Sequence, residues 1–103
     1  MSGHPRFKKL LKQMEKIHLL KNHDYAKDED PLSNLKMSEM FGVEPYIGTL
    51  VRMSDKFSRL CQIVKKGNAV KDETFEDSCL DLAVYSLLCI ILHEEKNARY
   101  KKN

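Results

Sequence analysis

"DETFEDSCLDLAVYSLLCIILHEEK", residues 72–96, is the stretch on which the fold turns. From residue 79 onward, Leu80, Leu82, Ala83, Val84, Leu87, Leu88, Ile90, Ile91 and Leu92 leave almost no polar face. No period-two alternation suggests a strand, and a helix apolar nearly all round belongs in a core or an interface. Against that background stand three acids, Glu73, Asp77 and Asp81, each four residues after the last. At 3.6 residues per turn they share one slowly drifting stripe. A carboxylate among so many apolar neighbours is too costly to leave unpaired, so Asp81 calls for a Lys, an Arg or a metal ion opposite it.

Working outward, Pro5 fits a first helical turn, and Phe7, Leu10, Leu11, Met14, Ile17 and Leu20 follow at helical spacing. The first helix is expected over about 5–22. The stretch "NHDYAKDEDPLSN", 22–34, ends it, and Ser33 is a candidate cap for a short helix over 34–41. Gly42 closes that helix. Pro45 opens the next, which runs to Gly67 with Ile47, Leu50, Val51, Phe57, Leu60, Cys61 and Val64 on its apolar side. A turn, "GNAVKDE", leads to Glu73 and Thr74 near the start of the last helix, which runs to about residue 98. The expectation is a single all-α domain over 1–103: a bundle of three long helices and one short helix, with an ordered acidic loop. A chain with three long helices buries an all-round apolar one among them with difficulty, so completion by dimerisation, as a homodimer, is expected, with part of residues 79–92 in the interface.

Composition narrows the function classes. The chain has 103 residues, 42% hydrophobic and 32% charged, which is a globular balance. A formal net charge of +3, with basic residues gathered at the two ends, argues against nucleic acid as the main partner. Cys61, Cys79 and Cys89 have no zinc-ligand spacing and sit beside apolar residues, which suits a reducing, cytoplasmic setting. The apolar run 82–92 is broken by Tyr85, Ser86 and Cys89 and is too short to span a bilayer, so no membrane association is expected.

Chemistry is concentrated in three places. "RMSDKFSR" sets Arg52, Asp55, Lys56 and Arg59 at spacings of three and four, on the face opposite Ile47, Leu50, Phe57 and Cys61. Such a face is either solvated and laced with ion pairs or a phosphate clamp in which Asp55 orients three cations. Glu73, Asp77 and Asp81 offer oxygen ligands only, which suit Mg²⁺ or Mn²⁺ rather than zinc. For Asp81 a structural ion pair is the competing reading, and for Glu73 a favourable position near a helix N-terminus. Tyr85 continues the acidic stripe one turn on. The loop "KNHDYAKDEDPLSN" mixes acids with Lys21, Asp24, Tyr25 and Asn34 but lacks the glycine and terminal glutamate of a calcium loop. There is no P-loop, no GxGxxG and no nucleophile–base arrangement.

The three stretches "KNHDYAKDEDPLSN", "RMSDKFSRL" and "VKDETFEDSCLDLAVYSLL", in that order and with these gaps, resemble the phage and bacterial family called nucleotide modification associated domain, type one. The resemblance covers roughly 18–92. It implies a phage or prophage origin and a role near nucleotide metabolism or base modification. More distantly, the chain is similar to the all-α nucleoside triphosphate pyrophosphohydrolases of the MazG and dimeric dUTPase type, in which acidic pairs on two helices surround Mg²⁺. That similarity implies metal ligation by Glu73, Asp77 and Asp81 and phosphate contacts from Lys56 and Arg59; read as one site, the three acids are the catalytic set, Asp24, Tyr25 and Asn34 contact sugar or base, and Lys21, Arg52, Asp55 and Tyr85 complete the substrate-binding residues. The chain departs from it on the helix that begins at Pro45, where Asp55 stands alone in place of an ExxE pair. Two functions are therefore carried forward. One is Mg²⁺-dependent binding, with or without pyrophosphohydrolysis, of a nucleotide or small phosphorylated ligand. The other is a non-catalytic phage protein that sequesters a nucleotide signal or inhibits a host protein.

Overall fold

The computed structural model describes residues 3–25, 30–67 and 74–102, with side chains described over 3–20, 30–67 and 74–99. Its elements are all helical: α1 (Pro5–Tyr25), a 3-10 helix (Leu35–Phe41), α2 (Pro45–Lys66) and α3 (Phe75–Lys102). The three-long-plus-one-short architecture thus agrees with the sequence, while several boundaries move. α1 runs past residue 22 to Tyr25, so Lys21, Asp24 and Tyr25 lie on its last turns rather than in a loop. Residues 26–29 of the expected acidic loop and Glu73 lie outside the described residues. The short helix is 3-10, and its N-cap is Asn34, with no side-chain cap, in place of Ser33.

The helix ends follow local chemistry. At Gly42, with φ at 75°, the chain enters the left-handed region, where the absence of a Cβ removes the steric cost. There the Gly42 N–H donates to Glu39 O and the Val43 N–H to Ser38 O, satisfying carbonyls that the 3-10 helix leaves open. Pro45 takes the first position of α2, where its missing N–H costs nothing. α3 begins with a reciprocal cap: the Asp77 N–H donates to Thr74 Oγ1 at 3.0 Å, and the Thr74 N–H donates to Asp77 Oδ2 at 3.2 Å.

α2 and α3 form the main packing unit. From α2 the stripe Thr49, Lys56, Leu60 and Ile63 turns inward, and α3 meets it with Ser78, Leu80 and Val84. Thr49 is 1% exposed and Ser78 fully buried; the Thr49 hydroxyl donates to Pro45 O at 2.8 Å, so burial leaves it satisfied. A second cluster, Leu32, Leu35 and Leu92 with Tyr46, Tyr85 and Leu88 around it, docks the 3-10 helix on α3. Ion pairs reinforce that junction. Lys36 Nζ reaches Asp30 Oδ2 at 2.7 Å and Glu95 Oε2 at 3.2 Å, while Arg99 bridges Glu39 at 3.2 Å and Glu44 at 3.0 Å. Lys96 stands 4.9 Å from the centroid of the Tyr46 ring.

The packing corrects the sequence reading of α2. The side chains expected on its inner face, Ile47, Leu50, Val51, Phe57, Cys61 and Val64, are exposed, and of that set Leu60 alone is buried. α3 is likewise not enclosed, since Leu87, Ile90 and Ile91 face outward.

Candidate functional site

Where α1, the segment 31–35, α2 and α3 meet, they enclose a cleft of about 480 Å³ lined by His18, Pro31, Leu32, Asn34, Leu35, Arg52, Asp81, Val84, Tyr85 and Leu88. Its volume lies in the usual range for a small-molecule site. Leu32, Leu35, Val84 and Leu88 make an apolar wall held by the second core cluster. Asn34, Arg52, Asp81 and Tyr85 supply polar groups to the same space. Four of the residues singled out in three separate sequence stretches therefore come together. Asn34 is placed by its position as N-cap of the 3-10 helix, where its side chain makes no cap hydrogen bond and is left to the cleft.

Asp81 has the positive partner that its sequence context demanded. Lys56 Nζ lies 3.0 Å from Asp81 Oδ2, and the two side chains are only 21% and 15% exposed. Lys56 is thereby separated from the cationic face predicted for α2: it points to α3, while Asp55 and Arg59 stay on exposed positions. Arg52 is also exposed along α2 but reaches the cleft, and it has no ion-pair partner among the described residues. His18 was not anticipated from the sequence. It follows Met14 and Ile17 on the half-buried side of α1, and no spacing motif marks it.

The expected metal set fits less well. Asp77 is an exposed capping residue whose Oδ2 accepts the Thr74 amide, and Asp81 is turned to Lys56. Glu73 is outside the described residues. Among the described residues no three His, Cys, Asp or Glu side chains converge as a metal ligand set would. The side chains of Lys21, Asp24 and Tyr25 also lie outside the described residues. No helix of the described residues is long and apolar enough to cross a membrane.

No family model matches the chain, and neither a curated protein nor a solved structure is found to match it.

Proposed function

We propose that the chain binds a nucleotide, or a small phosphorylated ligand of that kind, in the cleft between α1, α2 and α3. The observation that carries this reading is the convergence there of Arg52, which has no ion-pair partner among the described residues, with Asn34, Asp81 and Tyr85 on an apolar wall. Arg52 offers a planar fork to phosphate oxygens at the mouth of the cleft. The Tyr85 ring, with Val84 and Leu88, gives a surface for a planar base. Asn34 carries both a donor and an acceptor for a base edge, and Asp81, charge-balanced by Lys56, accepts from a sugar hydroxyl or an amino group. The resemblance to nucleotide modification associated proteins supports the same ligand class. No hydrolytic step is assigned to Asp77 and Asp81, because both carboxylates are engaged by the fold. The chain acts as a homodimer in this reading.

The test is a melting-shift titration with nucleoside mono-, di- and triphosphates and with inorganic phosphate, each with and without Mg²⁺. A nucleotide at a hundred times its Kd should stabilise the chain by about 2.7 kcal/mol. Arg52→Met should weaken that response at least tenfold while leaving the unliganded melt unchanged. A flat response to every nucleotide at millimolar concentration overturns the proposal. Mg²⁺-dependent release of pyrophosphate would restore the hydrolase reading.

A further inference from the structure

The exposed face of α2 carries a pattern of its own. Ile47, Leu50, Ser54, Phe57, Cys61 and Val64 follow one another at steps of three, four, three, four and three residues, the repeat of a coiled-coil seam. All six are exposed, Phe57 to 60% and Val64 to 76%, on the side turned away from the Thr49–Ile63 stripe that packs on α3. A monomer gains nothing from this seam. Moreover, the series of steps is the same read in either direction along the helix, so the seam is complementary to an antiparallel copy of itself.

We propose that α2 pairs with α2 of a second copy of this chain, antiparallel about a twofold axis between Ser54 and Phe57. Such an interface is isologous, the arrangement that closes a dimer and stops. Each large side chain then meets a small or medium one. Phe57 enters the space over Ser54 of the partner subunit, Leu50 meets Cys61 of the partner subunit, and Ile47 meets Val64 of the partner subunit. Along one flank of the seam Val51 comes beside Ser58 of the partner subunit, and Lys65 comes beside Glu44 of the partner subunit, a carboxylate that within each chain already pairs with Arg99 at 3.0 Å, so the added attraction at both ends is shared with that pair. A parallel pairing stacks Phe57 on its own copy and leaves Ser54 on Ser54, a poorer fit. The seam runs on the order of 25 Å along the helix. This interface is distinct from the nucleotide cleft, and it places the contact on α2 rather than on residues 79–92.

The geometry dictates a cross-linking experiment on the full chain. In the antiparallel register Cys61 lies on the order of 16 Å along the helix from Cys61 of the partner subunit, too far for a disulfide, whose Cα atoms sit within about 7 Å. Position 50, in contrast, faces the partner's Cys61. Oxidation of the native chain should leave Cys61 uncross-linked, whereas Leu50→Cys should give a covalent dimer whose mapped bond joins the introduced thiol to Cys61. The double change Leu50→Cys, Cys61→Ser should lose that band. Phe57→Glu should raise the dimer dissociation constant at least a hundredfold with the helical circular dichroism retained. The proposal is overturned by a native chain that sediments as a monomer at tens of micromolar. It is equally overturned by a Cys61–Cys61 bond in the native dimer, which means parallel pairing, or by a dimer in which Leu50→Cys fails to cross-link.

Discussion

Replacing Asp81 by Asn removes one charge from the Lys56–Asp81 pair at almost constant shape. At 3.0 Å and an effective dielectric near 20, the direct attraction is about 5.5 kcal/mol before desolvation is counted. Desolvation offsets much of it, so the pair itself adds little to stability. The cost of the change lies elsewhere, in leaving Lys56 charged and only 21% exposed while its neighbour at 3.0 Å becomes neutral. Breaking one side of a buried pair costs about 3–5 kcal/mol; the residual access to water here favours the low end, about 3 kcal/mol. In a chain of this size that corresponds to a fall in Tm of roughly 12–24 °C. Urea melts of Asp81→Asn, Lys56→Met and their combination should give a coupling energy above about 1 kcal/mol. The apolar pair Lys56→Met, Asp81→Leu should recover most of the loss. A loss below about 0.5 kcal/mol for Asp81→Asn, or no recovery in the apolar pair, refutes the account.

Thr74→Ala should cost about 1 kcal/mol through the α3 cap, and Asp77→Ala on top of it should add little, because the two side chains serve one reciprocal motif; denaturant midpoints check both. Asp30 is held below the ordinary carboxylate range, first by the hydrogen bond from Lys36 and then by the Leu32 amide. Its stabilisation is therefore complete above about pH 4 and lost as the pH falls further, and Asp30→Asn should flatten that acid limb in melts taken across pH. Lys36, raised chiefly by its hydrogen bond to Asp30, behaves in the opposite sense: its contribution holds below about pH 10.5 and is lost above it. Gly48→Ala should not stabilise α2 despite a propensity gain of about 1 kcal/mol, since the new Cβ would sit 3.1 Å from Ser38 Cβ and Oγ; a higher Tm for this variant contradicts the packing.

Helix existence was legible because its signals are local. Pro45 and Gly42 mark ends by backbone chemistry alone, and the apolar density of 79–92 permits no strand. Which face of α2 turns inward was not legible. Periodicity identifies the Ile47–Val64 seam as the most apolar side, yet contact with α3 goes to Thr49, Lys56, Leu60 and Ile63. That choice depends on what α3 presents in return, namely a small buried Ser78 and the carboxylate of Asp81, and spacing within one helix does not contain it. In the site, Asp81 was readable as a carboxylate out of place in an apolar run, while Asn34, Arg52 and Tyr85 were readable only as members of a polar loop, a cationic helix face and the acidic stripe. Thr-x-x-Asp at a helix start is a capping signature as well as a fragment of an acidic stripe, and spacing alone does not separate these two uses of Asp77. His18 had no such mark; its place in the cleft is a product of how α1 lies across α3.

The attachment of α1 is sparse. Its polar ties to α3 include Arg6 to Glu76 at 2.8 Å and Gln13 to Glu76 at 3.5 Å, and Phe7, Leu11, Leu19 and Leu20 remain exposed. None of its described side chains is buried, whereas α2 and α3 share a continuous core. Amide hydrogens of α1 should therefore exchange through a local opening of much lower free energy than the global unfolding that exposes those of α2 and α3. Since His18 supplies one wall of the cleft, any molecule that fills it draws on this opening equilibrium, and its measured affinity is the intrinsic one reduced by the fraction of chains in which α1 is docked.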